Sequence, residues 1–205
     1  MNTKTRSKSL AVMALMTALI FVLQFVTIPL GAITVSLAMV PVSVAAVALG
    51  PAGGLAAGAV WGLASLLKAL LGTSGMTSIL FNISPLSTLV LCFVPRMLDG
   101  LVVSLLYRGL RRFTNVLVSG SVVGFLSAFL NTLFFMSTIV LLFGQTPYLQ
   151  KMMAGRSVLA FILSIIAGNA IFEMIVSALV TGPIVATLAK ARLIDRGARR
   201  DGSKF

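Results

Sequence analysis

The sequence has no histidine, one cysteine (Cys92) and four acidic residues among 205. Without histidine, the usual general base and Ser–His nucleophilic catalysis are closed to it. A single cysteine excludes an internal disulfide, and with no histidine beside it a structural zinc site has no ligand set. Four carboxylates leave little for a metal centre or a carboxylate dyad. No GxxxxGK[ST] phosphate loop occurs, so ATP has no route of that kind into this chain. Charge is scarce altogether: 10% of residues are charged, where a soluble domain carries roughly a quarter. These absences argue against an enzyme and leave transport or binding, with no catalytic residue, metal or cofactor expected.

What the chain has instead is apolar length. Hydrophobic residues make up 59% of it and its mean hydropathy is +1.10, too greasy for a globule facing water. Runs near 20 residues suit helices that span a bilayer. The expectation is a single all-α membrane domain, a bundle of six transmembrane helices at about 9–26, 35–49, 52–71, 85–107, 114–143 and 157–189, ending in a basic tail at 190–205. The first run follows Lys4, Arg6 and Lys8 but is longer than a signal-peptide core, so it reads as a retained helix. Gly50-Pro51 breaks the second run from the third, and the polar stretch Gly72–Ser84 reads as a loop.

The net charge of +12 does not indicate nucleic acid, because the cations sit in short clusters between apolar runs. With six spans, the clusters at 4–8, 108–112 and 190–204 lie on one side and hold twelve cations, while Lys151 and Arg156 lie on the other. That bias places both termini in the cytoplasm.

Four ionisable residues fall inside predicted spans: Lys68, Arg96, Asp99 and Glu173. Each costs about 2.5–3.5 kcal/mol at membrane depth and needs a partner, water or a ligand. Internal pairing, Arg96 with Asp99 and Lys68 with Glu173, is one expectation. A polar cavity is the other. Trp61, Ser65 and Lys68 share one helical face, as do Thr88, Cys92 and Arg96. Ser127, Asn131 and Thr138 form a third stripe, and Asn169, Glu173 and Ser177 a fourth. If these faces converge, cations at Lys68 and Arg96 favour a small ligand bearing a carboxylate. Gly54, Gly58 and Gly62 form a GxxxGxxxG ridge suited to close packing. Ala14 and Ala18, an AxxxA pair on a span with almost no polar residues, suit either packing or docking of another membrane protein.

The run LGPAGGLAAGAVWGLASLLKALLG, with L-G-P at Leu49–Pro51, and the stretch NISPLSTLVLCFVPRMLDGLVVSLLYRGL, with N-x-S-P…P-R-x-x-x-G from Asn82 to Gly100, resemble the substrate-binding S components of energy-coupling factor (ECF) vitamin transporters. Among these the chain looks most like the pantothenate type. The resemblance implies a bacterial multi-pass membrane protein that binds a vitamin in the outer half of a six-helix bundle. It also implies docking on a transmembrane coupling subunit driven by two ATPases, with ATP hydrolysed by those partners and Ala14 and Ala18 facing the coupling subunit. For a pantothenate-like ligand, Arg96 or Lys68 would hold the carboxylate, and Asn82, Asn131 and Asn169 would meet amide and hydroxyls. Trp61 would pack on apolar parts, and Glu173 would fix a hydroxyl or neutralise Lys68. An S component for folate, riboflavin or a hydroxymethylpyrimidine or pyridoxine type of substrate is the neighbouring reading. A self-contained secondary transporter is the more distant one.

Overall fold

The computed structural model describes residues 3–26, 28–30, 33–165 and 170–191. It is helical apart from one short hairpin. Helix α1 spans Thr3–Phe25, a stretch without glycine or proline that begins with Lys4, Arg6 and Lys8 and from Leu10 on is apolar except for Thr17 and Gln24. It buries Val12, Met16 and Ile20, spaced i, i+4, i+8 along one stripe, and turns Ala14 and Ala18 outward. Strands β1 (Ile28–Leu30) and β2 (Ile33–Val35) follow and pair antiparallel, Ile28 opposite Val35 and Leu30 opposite Ile33. Their β-branched residues favour extended backbone. The next helix, expected from Val35, therefore begins only at Met39.

Helix α2, Met39–Leu70, contains a break at Gly50, whose φ of 75° and ψ of −165° are open to glycine and hostile to residues with a Cβ. The chain reverses there. A Cβ on Gly53 would lie 3.1 Å from the carbonyl oxygen of Ala45, and one on Gly54 would lie 3.1 Å from the Cβ of Ala46. Residues eight apart in a straight helix are about 12 Å apart, so 39–49 and 51–70 fold back on each other. The run 38–47 is buried all round, as expected of a helix apolar on every side.

Helix α3 (Gly75–Ile83) occupies most of the stretch read as a loop. Helix α4 (Pro85–Leu110) starts with Ser84 as N-cap and Pro85 in its first turn, the arrangement that best uses proline's missing N–H. Helix α5 (Val116–Phe143) is capped by the Asn115 side chain. A short α6 (Pro147–Met153) and α7 (Val158–Ile165) lead to α8 (Ile171–Lys190). The last predicted span is thus two helices, with 166–169 outside the described residues.

Among the described residues five helices are long and apolar enough to cross a membrane: α1, α2, α4, α5 and α8. The expectation is six; α2 is counted among the five as one helix, although it is broken at Gly50.

Glycine seams bring the helices together. The 51–70 segment runs antiparallel to α4: a Cβ on Gly54 would strike the Gly100 carbonyl, one on Gly58 the backbone of Arg96 and Met97, and one on Gly62 the Cys92 carbonyl at 2.9 Å. Helix α5 meets α8 in the same way, Gly120 against Gly182 and Gly124 against Ser177 and Thr181. In lipid, where burial of apolar surface does not drive helices together, this close backbone contact supplies the attraction.

Candidate functional site

A cavity of about 210 Å³ lies where α1, both halves of α2, α4, α5 and α8 converge. Its walls are Gln24, Ser36, Met39, Trp61, Arg96, Asn131, Thr132, Phe135, Met136, Ala170 and Glu173.

Arg96 forms the charged wall. It is 8% exposed, and its guanidinium carbon lies 5.2 Å from the Trp61 ring centre and 5.1 Å from that of Phe135, a cation between two π faces. The backbone fixes it there. Pro95 has no N–H for the Leu91 carbonyl, and Arg96 Nη1 donates to that oxygen at 3.1 Å and to the Cys92 oxygen at 3.2 Å. Arg96 Nε is buried without a partner. The expected Arg96–Asp99 pair does not form. Arg96 leans back along α4, as helical side chains do, while Asp99 Oδ2 accepts from Ser127 Oγ at 2.8 Å, outside the cavity lining.

The expected Lys68–Glu173 pair is also absent. Lys68 Nζ donates to the Gln24 carbonyl oxygen at 3.0 Å, neutralising the carbonyl end of α1. Glu173 Oε1 accepts the Ser36 backbone N–H at 3.0 Å, which ties α8 to the residue following the hairpin. Gln24 is the hub of the opposite wall. Trp61 Nε1 donates to its Oε1 at 2.8 Å, and its Nε2 donates to Ser65 Oγ at 3.2 Å. The face formed by Trp61, Ser65 and Lys68 therefore closes on one glutamine.

Of the residues singled out from sequence, Arg96, Trp61, Asn131 and Glu173 line the cavity. Asn131 Oδ1 is buried there without a partner. Lys68 is half-buried and held by α1, Asn82 is exposed on α3, and Asn169 lies outside the described residues. Sequence reasoning passed over Gln24, Ser36, Thr132 and Phe135 together with Met39, Met136 and Ala170. A lone glutamine in an apolar run was a usable signal for Gln24, and the i+4 position from Asn131 for Phe135; the methionines offered none. Among the described residues no group of three or more His, Cys, Asp or Glu could hold a metal. The cavity presents one cation at one wall, a carboxylate at another and aromatic and thioether surface between them. It suits a small ligand with an anionic end, hydrogen-bonding groups and an apolar middle.

The family model described as "ECF transporter, substrate-specific component" matches residues 8–185. The chain is 29% identical over 147 residues to the pantothenic acid transporter PanT of Lactococcus lactis, spanning 66% of this chain and 67% of that protein. The solved structure of ThiT from Listeria monocytogenes superimposes with a TM-score of 0.62 at 19% identity, covering 90% of this chain and 97% of that one; at that identity the likeness concerns the fold.

Proposed function

Since the chain belongs to the substrate-specific components of ECF transporters, a family of multi-pass proteins of the bacterial cell membrane, we propose that it captures pantothenate from outside the cell. The observation that carries this reading is Arg96: a buried guanidinium, framed by Trp61 and Phe135 and lining a cavity, with no carboxylate of the described residues paired to it. A buried cation left in this way is strongly unfavourable until an anion arrives, so a ligand carboxylate is the natural complement. Asn131 and Glu173 then meet amide and hydroxyl groups, and Met39, Met136 and Trp61 pack on the apolar middle. The likeness to PanT supports the same choice. So does the size: about 210 Å³ is below the roughly 300–1,000 Å³ of drug-sized pockets, which favours pantothenate over folate or riboflavin.

The remaining parts of the reading are proposed with it, supported by the family and by the one-sided clustering of cations in the sequence. The chain crosses the membrane six times, with the fold-back at Gly50 separating the second and third passes and the basic ends in the cytoplasm. It works with a transmembrane coupling subunit and two ATPases that hydrolyse ATP. Thermal unfolding of the purified protein tests the substrate. A ligand at about 100 times its Kd stabilises by about 2.7 kcal/mol; pantothenate should produce such a shift and pyridoxine, thiamine and riboflavin should not. A shift with one of those vitamins and none with pantothenate rejects the assignment.

A further inference from the structure

Beneath the cavity lies a second polar layer that the proposed function does not use. Met39, Arg96, Asn131 and Glu173 line the cavity from four helices. Three or four positions along the same face of each helix, nearer the end of the bundle where Gly50 meets Arg108, stand Ser43, Asp99, Ser127 and Ser177. All four are 0% exposed. Close approaches put them at one depth. Ser43 is one turn from Ala46, whose Cβ lies 3.1 Å from where Gly54 would carry its own, and that position strikes the carbonyl of Gly100, next to Asp99. A Cβ on Gly124, one turn from Ser127, strikes the Ser177 carbonyl, and Ser127 Oγ donates to Asp99 Oδ2 at 2.8 Å. We propose that Asp99, Ser43, Ser127 and Ser177 bind a sodium ion at the centre of the bundle.

The oxygens of this layer are short of partners. Asp99 Oδ1, Ser43 Oγ and Ser177 Oγ are buried and bonded to nothing among the described residues. Buried serine and threonine hydroxyls in helices commonly turn back to the carbonyl of the preceding turn. Thr88 does so to Ser84 at 2.9 Å and Thr132 to Ala128 at 3.0 Å; Ser43 and Ser177 do not. Asp99 is worse off, because a carboxylate inside a membrane needs a countercharge. The nearest candidate in sequence, Arg96, spends its Nη1 on the Leu91 and Cys92 carbonyls.

The donor set selects the ion. Carboxylate and hydroxyl oxygens suit a hard cation, and the four residues offer no nitrogen or sulfur ligand. One carboxylate balances one positive charge, which favours a monovalent ion over calcium or magnesium. The seams of Gly54 on Gly100 and Gly124 on Ser177 hold these helices at backbone contact, which favours sodium over the larger potassium. A water molecule would satisfy the hydroxyls and leave the charge of Asp99 uncompensated.

The test uses the full-length protein without vitamin in neutral detergent, in sodium, potassium or N-methyl-D-glucamine chloride at equal ionic strength, with thermal unfolding as the readout. Sodium should raise Tm saturably, and the other two cations should not. In Ser43→Ala and in Ser177→Ala the half-saturating sodium concentration should rise about tenfold, the equivalent of one lost charge-assisted contact. Asp99→Asn, close in shape but uncharged, should lose the response altogether. The serine variants read the site even if Asp99→Asn does not fold. Equal Tm in the three salts overturns the proposal, as does a sodium response that survives Asp99→Asn or is unchanged in both serine variants. A Tm that rises on acidification and ignores sodium would give the countercharge of Asp99 to a proton and overturn it as well. Vitamin binding enters none of these readouts, so the sodium site and the substrate assignment stand or fall separately.

Discussion

At the scale of single residues, Arg96 should decide affinity. Arg96→Ala is expected to weaken an anionic ligand by about 2–5 kcal/mol, the range for truncating one partner of a buried charge pair, while circular dichroism stays unchanged. Arg96→Lys should recover only part of the loss, because an ammonium cannot present a planar fork between two rings. Titration calorimetry on the three proteins checks this; a fold lost with Arg96 would instead mark a structural residue. Trp61, the only tryptophan, offers an independent readout: its ring lies against Arg96, so ligand binding should change intrinsic fluorescence in the wild type. Arg96 was legible in the sequence because a cation in an apolar run has to be accounted for. Its surroundings were not. Spacing of i, i+3 put Asp99 within reach, yet Pro95 exposes a carbonyl one turn back, and which of the two the guanidinium takes depends on Phe135 and Trp61 arriving from other helices.

At the scale of elements, the glycine ridge on the second half of α2 should be the least tolerant surface. Gly58→Leu places a side chain onto the backbone of Arg96 and Met97, and overpacking of this kind costs about 1–3 kcal/mol. It also displaces Arg96, so both Tm and pantothenate affinity should fall. The same substitution at Gly72, where a Cβ meets nothing within 4 Å, should leave packing untouched and cost only what its positive φ imposes. The ridge, the break at Gly50-Pro51 and the long apolar helices could be read from spacing and residue type. The helix at 75–83 could not: GMTSILFNI is short and glycine-led, and its two buried residues, Thr77 and Leu80, make sense only against their tertiary neighbours.

At the scale of the whole molecule, α1 presents Ala14 and Ala18 outward, while Val12, Met16 and Ile20 hold it to the bundle. Ala14→Trp and Ala18→Trp should therefore preserve vitamin binding and abolish co-purification with the coupling subunit. Normal assembly in both variants would remove α1 from that interface. Reconstituted alone, the chain should bind pantothenate without accumulating it; ion-driven uptake in such vesicles would indicate a self-contained transporter.

Gln24 sits on the same helix as that alanine face. Ala18 lies about 9 Å and Ala14 about 15 Å further down the axis, with no glycine or proline between to absorb a displacement. A small movement of Trp61 as a ligand settles is handed through one amide to a stiff rod whose far end is the surface proposed to dock the coupling subunit. Occupancy of the cavity can thereby be sensed at a distant surface without any hinge, and a partner gripping that rod would in turn pull on the cavity wall.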